Sequence, residues 1–155
     1  MKFCNLDINI FNRDQLFHIE GNKTKYIETV NAQIIVLANT DKEFMSVMQM
    51  SEKSLDGEIP LKFARIKDKR FAKCEKLSGS EIVYDFCLFA KNNNLRMFFL
   101  GGTSDSINAA VTNIKKQYGI EVSGFSPRYE DYPFSEEFTE DALDALKMFR
   151  PDILF

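Results

Sequence analysis

Arg96-Met97-Phe98-Phe99-Leu100-Gly101-Gly102-Thr103 is the stretch on which the reading of this 155-residue chain turns. Its apolar run reads as a buried strand, and its two glycines as a turn that no side chain obstructs. Ile107, Ala110, Val111 and Ile114 follow at spacings that line one face of a helix. A strand, a glycine turn and a helix N-terminus can together hold an anion, because free amide N–H groups and the positive end of the helix dipole point the same way. The stretch is therefore either a phosphate or diphosphate site at the carboxyl edge of a parallel sheet, or a plain strand-to-helix turn.

The same alternation runs outward in both directions. Lys2 to Ile10 alternates loosely as a strand. Asp14 to Glu20 reads as a short helix ended by Gly21-Asn22, and Lys25 to Val30 as the next strand. Two helices follow, parted at Asn39-Thr40-Asp41, with Met45, Met48 and Met50 expected in the core. Lys53 to Leu55 is a strand, Asp56-Gly57 a turn, and Pro60 suits the first turn of a helix through Ala64. Ile66 to Cys74 is charged and reads as a mobile surface loop. Ser78-Gly79-Ser80-Glu81 has the form of a capping box ahead of a helix carrying Ile82, Val83, Phe86, Phe89 and Ala90 inward. After the central stretch, Gly119 ends a helix and Ile120 to Phe125 is a strand. Ser126 to Ser135 is a loop, and Thr139 caps a last helix with Ala142, Leu143, Leu146 and Phe149 inward. Asp152 to Phe155 begins a final strand. Strand and helix in alternation predict an α/β, Rossmann-like fold, a mostly parallel sheet with helices on both faces, within a single domain over residues 1–155. A buried strand is an odd place to end, so the pattern suggests a C-terminally incomplete domain, a fragment or a natural truncation.

Composition narrows the function. The chain is 45% hydrophobic and 28% charged with a net charge of −3, as expected of a globular protein rather than a nucleic-acid binder. Even its densest basic run, Arg65 to Lys76, contains Asp68 and Glu75. No apolar run approaches the length of a membrane span, and Met1 to Asp7 lacks the apolar core of a signal peptide. Cys4, Cys74 and Cys87 are odd in number and widely spaced, which fits reduced cytosolic thiols better than a disulfide framework or a zinc site. His18 is the only histidine and reads as a helix-surface residue, so a catalytic argument rests on carboxylates.

Three positions fall just after strands: Thr29-Val30-Asn31, Asp56-Gly57 and Gly101-Gly102-Thr103. Strand ends in a parallel sheet share one edge, where ligands bind. Asp56 could act there as a general base, or it could simply form an Asx turn before glycine. Thr29 and Asn31 offer a hydroxyl and an amide to a polar ligand, or caps to the helix that starts near Ala32.

Taken in order, these pieces resemble the WecG/TagA/CpsF glycosyltransferase family. The matching segments are Thr29-Val30-Asn31-Ala32 before an apolar helix, Leu55-Asp56-Gly57, Ser78-Gly79-Ser80-Glu81, Phe98-Phe99-Leu100-Gly101-Gly102, and Arg150-Pro151-Asp152-Ile153-Leu154-Phe155. The resemblance runs from about Tyr26 to the last residue. It implies an inverting transferase that moves a sugar, often N-acetylmannosamine, from a UDP donor to a polyprenyl-diphosphate-linked sugar at the inner membrane face. Such enzymes serve teichoic acid, enterobacterial common antigen, and capsule or exopolysaccharide assembly. By that resemblance Asp56 is the catalytic base, with Thr29 also catalytic. Asn31, Gly57, Gly79, Ser80, Glu81, Gly101, Gly102 and Thr103 face substrate or donor. Neither a metal nor another cofactor is implied, and the protein would sit in the cytoplasm or peripherally on the cytoplasmic membrane.

The sequence departs from the family pattern in three places. Glu81 stands where aspartate is usual after Gly-Ser, and Lys76 where arginine is common. Family members also continue past the Pro-Asp-Ile-Leu-Phe strand into a glycine loop, a proline-lysine-glutamine segment and a C-terminal appendage that completes the active site and attaches to membrane. If the present residues are the whole protein, they would be an inactive core. The competing reading is accordingly a truncated, non-catalytic domain of the same fold that binds a nucleotide or a partner. A homodimer is a further expectation, from an unpaired sheet edge at Phe155. A dinucleotide oxidoreductase lacks support because no GxGxxG is present, and a P-loop NTPase because no lysine follows the glycines.

Overall fold

A computed structural model of the chain describes residues 1–18 and 23–155. It is α/β, and its strands other than an N-terminal hairpin pair in parallel, as the alternation predicts. The chain forms two compact units, Met1–Ile82 and Val83–Phe155.

In the first unit the expected single strand at the N-terminus is a hairpin, β1 (Lys2–Phe3) against β2 (Leu6–Asp7). Cys4 and Asn5, both at positive φ, make its turn. Asn12 caps a short 3₁₀ helix, Arg13–Phe17, through a reciprocal box with Gln15, and exposed His18 ends it. The rest of the helix expected to Glu20, and its Gly21-Asn22 stop, lies outside the described residues. β3 (Ile27–Val30) and β4 (Glu52–Leu55) pair in parallel with Thr29 opposite Ser54 and Val30 opposite Leu55. Between them run α1 (Ala32–Thr40) and α2 (Lys42–Met48). Asp41 ends the first and caps the second, so the separator falls where it was read. Met48 is buried and Met45 packs against the core, but Met50 is exposed just past the end of α2.

β4 also has neighbours on its other side. The amides of Asn9 and Ile10 both donate to the Lys53 carbonyl, and the Leu77 amide donates to that of Leu55. Burial pushes the Lys53 ammonium pKa down, while Asp7 and Glu28 pull it up. α3 (Glu58–Lys67) follows, with Pro60, Leu61 and Ala64 buried.

The charged segment after α3 is not the mobile loop its composition suggests. It is a second 3₁₀ helix, Lys69–Lys73, capped by Asp68 and held down by wholly buried Phe71. The Arg65 guanidinium donates to the Cys74 carbonyl at 2.8 Å. One aromatic anchor outweighs the surrounding charge, because burying a phenyl ring stabilises by about 1.5–3 kcal/mol.

α4 (Gly79–Asn93) begins in the first unit and continues into the second. The second unit is a three-stranded parallel sheet in the order β6 (Val122–Phe125), β5 (Met97–Leu100), β7 (Ile153–Leu154). α5 (Ser104–Tyr118) connects β5 to β6 and ends on left-handed Gly119, as read. Cys87, Ala90, Met97, Ile114, Ile120 and Val122 form the core of this unit. Cys87 is filler, and burial pushes its thiol up to about 11. At Gly124 a Cβ would lie 2.5 Å from Ile107 Cγ2 and 3.0 Å from the Phe99 carbonyl oxygen, so glycine lets α5 lie close on β6.

The final helix, α6 (Glu136–Phe149), is capped by Ser135 rather than Thr139: the Ser135 hydroxyl accepts from the Phe138 amide at 3.2 Å. Thr139 instead lies in the first turn, its hydroxyl donating to the Ser135 carbonyl. Ala142 is buried on this helix, whereas Leu143, expected inward, is exposed.

Candidate active site

The site residues fall in two groups, one in each unit. In the first unit the parallel register brings the ends of β3 and β4 side by side, and the Asp56 amide donates to the Val30 carbonyl at 2.9 Å. Side chains alternate across a strand, so Thr29 and Ser54 share one face of this sheet. Asn31 and Asp56, the next residues of like parity, stand just past its carboxyl edge.

Asn31 does what a cap does. Its side-chain oxygen accepts from the Ile34 amide at 3.0 Å and so opens α1. That bond uses the oxygen and leaves the NH₂ group to donate elsewhere. Asp56 is different. It is half-buried, and among the described residues its carboxylate has neither a hydrogen-bond nor an ionic partner. The Asx turn that would make it merely structural is thus not formed. Gly57 follows at φ +98° and caps α3 without a side-chain bond. An unengaged carboxylate beside a bare turn can accept a proton from a group that approaches it.

Gly79 approaches this face from α4. A Cβ there would stand 3.2 Å from Thr29 Oγ1, a tight contact that glycine spares, so the threonine hydroxyl lies close to the start of the helix. Ser80 is exposed and its hydroxyl meets that of Ser78 at 3.1 Å. The Glu81 carboxylate, which the capping-box pattern would turn back toward Ser78, pairs with Lys76 Nζ at 3.2 Å and lies 3.9 Å from Arg13. The Glu81 amide donates to the Ser78 carbonyl. Lys76 and Glu81 therefore meet each other.

Ser54 is a residue that the sequence reading passed over. It is wholly buried and its hydroxyl has no partner among the described residues. The one signal was a serine set between a lysine and a leucine in a short strand.

In the second unit Gly101 and Gly102 take φ of +109° and +72°, a region that side chains other than glycine rarely adopt. Nothing lies within 4 Å of where a Gly101 Cβ would stand. The Gly102 carbonyl accepts from Ser126 Oγ at 2.7 Å, and the Gly101 amide donates to the Phe125 carbonyl, so the turn is pinned to the segment after β6. Thr103 and Ser106 form a capping box: Thr103 Oγ1 accepts from the Ser106 amide and Ser106 Oγ accepts from the Thr103 amide. The box spends the Thr103 and Ser106 amides, so a negative charge at this turn would meet those of Ser104 and Asp105.

Among the described residues no group of three or more histidine, cysteine, aspartate or glutamate side chains is placed to hold a metal ion, and no helix is long and apolar enough to cross a membrane.

Parallel sheets with polar side chains and glycine turns gathered at their carboxyl edges define the class of α/β proteins that take ligands at that edge. Within that class the chain belongs to the WecG/TagA/CpsF glycosyltransferase family, whose model matches residues 1–155. No curated protein matches it. The family match covers the whole chain, including the N-terminal hairpin that precedes the segments on which the resemblance was drawn.

Proposed function

We propose that this chain carries the base and the donor-binding turn of an inverting glycosyltransferase that moves a hexose, N-acetylmannosamine or a relative, from a UDP donor to a polyprenyl-diphosphate-linked sugar. The observation that carries the reading is the unengaged Asp56 carboxylate at the edge of β4 in a member of a glycosyltransferase family. In a single displacement Asp56 takes the proton of the acceptor hydroxyl as that oxygen attacks the anomeric carbon. The bond to the diphosphate breaks on the opposite side, and configuration inverts. Thr29 and Asn31 orient the sugar hydroxyls by hydrogen bonds. In the second unit the Gly102, Ser104 and Asp105 amides are the ones left to meet the negative charge of a UDP group, without a divalent metal.

The test pairs binding with turnover. Calorimetric titration in EDTA with UDP and several UDP-sugars is expected to show saturable binding by both the native protein and Asp56→Asn. Transfer by the variant is expected to fall about 100-fold or more. Near-normal turnover by Asp56→Asn removes that residue from the chemistry. Donor binding that requires Mg²⁺ or Mn²⁺ overturns the metal-free reading, and a transferase that binds no UDP under either condition has another donor.

A further inference from the structure

α3 turns the wrong side chains to solvent. Its buried face is Pro60, Leu61 and Ala64. On the opposite side Ile59, Phe63 and Ile66 are 65%, 62% and 81% exposed. At about 100° per residue these three fall within a narrow arc, and Lys62 and Lys67 stand on its two flanks. A helix with an apolar stripe on its outer face, edged by lysines, has its amphipathic sense inverted relative to a helix that only packs on a core.

Charge selects the occupant. Residues 58–76 carry seven Lys and Arg against three Asp and Glu, in a chain whose net charge is −3. Of these, Arg70 is neutralised by Asp68 at 2.6 Å, but Lys62, Lys67, Lys69 and Lys73 have no ionic partner among the described residues. The 3₁₀ helix bearing the last two is locked to α3 by Phe71 and Arg65. A second copy docking here about a two-fold axis would set these lysines against one another. A nucleic acid would match the charge but not Ile59, Phe63 and Ile66. An anionic bilayer surface matches both, with the apolar stripe entering the acyl boundary and the lysines meeting lipid phosphates.

We propose that the outer face of α3 is a membrane-docking surface for anionic lipid, seated through Ile59, Phe63 and Ile66 and steered by Lys62, Lys67, Lys69 and Lys73. The helix starts one residue after Gly57, so docking brings the Asp56-Gly57 turn toward the lipid surface. That purpose rests on the lipid-linked acceptor proposed above, whereas the docking itself does not.

The chain contains no tryptophan, so Phe63→Trp supplies a single reporter at an exposed position. On vesicles of phosphatidylglycerol and phosphatidylcholine its emission is expected to shift to the blue and to be quenched by brominated lipid. Neither change is expected on phosphatidylcholine alone or in high salt. Co-sedimentation of the native protein is expected to weaken about tenfold or more in the Ile59→Ser/Phe63→Ser/Ile66→Ser variant and in Lys62→Glu/Lys67→Glu. Circular dichroism checks that both still fold. Undiminished sedimentation of the folded serine variant, equal binding to neutral vesicles, or an unshifted reporter overturns the proposal. So does a native dimer that the serine variant dissociates while vesicle binding is absent. These readouts need neither donor nor turnover. A protein that docks but binds no UDP overturns only the function, and one that transfers sugar without docking overturns only the surface.

Discussion

Among the described residues the Ser54 hydroxyl, buried opposite Thr29, has no hydrogen-bond partner, and a hydroxyl taken out of water without a partner costs about 1–3 kcal/mol. Ser54→Ala removes that cost along with one oxygen, so the variant is expected to be more stable by about 1 kcal/mol, read as a higher urea midpoint at unchanged slope. A lower midpoint would mean that the hydroxyl is satisfied by bound water and that its bond holds β4 in place. Residues at this scale were unevenly legible. Asp56 and Asn31 could be picked out because each follows a strand, and post-strand polar residues are conspicuous. Which of the two would be spent on a cap was not legible: in the fold Asn31 bonds the Ile34 amide, while the Asp56 carboxylate bonds nothing among the described residues. Phe71 misled in the other direction, because a lone aromatic among lysines and arginines carries no periodicity to announce its burial.

Elements are held at their ends, and β7 is the clearest case. It is only two residues long, Ile153–Leu154, and the residues on either side of it also bond to the β5 segment. The Asp152 amide donates to the Arg96 carbonyl, the Phe155 amide to that of Phe98, and the Leu100 amide to that of Phe155. The Asp152 carboxylate closes the strap by accepting from the Arg96 amide at 2.8 Å and from Arg96 Nε at 3.2 Å. Those bonds to the charged form hold its pKa below the ordinary carboxylate value. A carboxyl depressed on folding contributes stability that is fully present above its unfolded pKa of about 3.9 and is lost as pH falls through the lowered folded value. Asp152→Asn is accordingly expected to be less stable than the native protein at neutral pH. The gap should narrow as pH drops below about 4. Urea midpoints of both proteins across that range measure it, and a gap that stays constant assigns the loss to geometry rather than charge. The start of α6 shows why such ends were hard to read. Ser135 and Thr139 both suit a cap, and the choice falls to Ser135, whose amide and hydroxyl are also held by the Glu130 carboxylate. No local pattern around residue 139 contains that contact.

At the scale of the whole molecule, alternation of strand and helix was enough to predict parallel α/β architecture, because each crossover between parallel strands needs a helix-length connection. It was not enough to say how the strands group, since pairing depends on contacts between residues far apart in sequence. Among the described residues each unit has one parallel sheet, and each sheet has a strand hydrogen-bonded on both sides. β4 lies between β3 and the segments carrying Asn9, Ile10 and Leu77, and β5 lies between β6 and β7. Amides in strands flanked on both sides and backed by buried side chains exchange only through the largest openings of their unit. Hydrogen exchange is therefore expected to show two separate maxima of protection, one at β4 and one at β5. Amides there should exchange about 10⁴-fold more slowly than those of the exposed loop at residues 128–134. The β4 maximum draws on Leu61, Ala64 and Phe71, and the β5 maximum on Cys87, Ala90 and Ile114. Truncating Phe71 to alanine should erode the first by about 3–5 kcal/mol. Whether the second falls with it reads out directly whether the two cores unfold as one cooperative body. A single maximum in the native protein would instead show that one of these sheets is not stably folded.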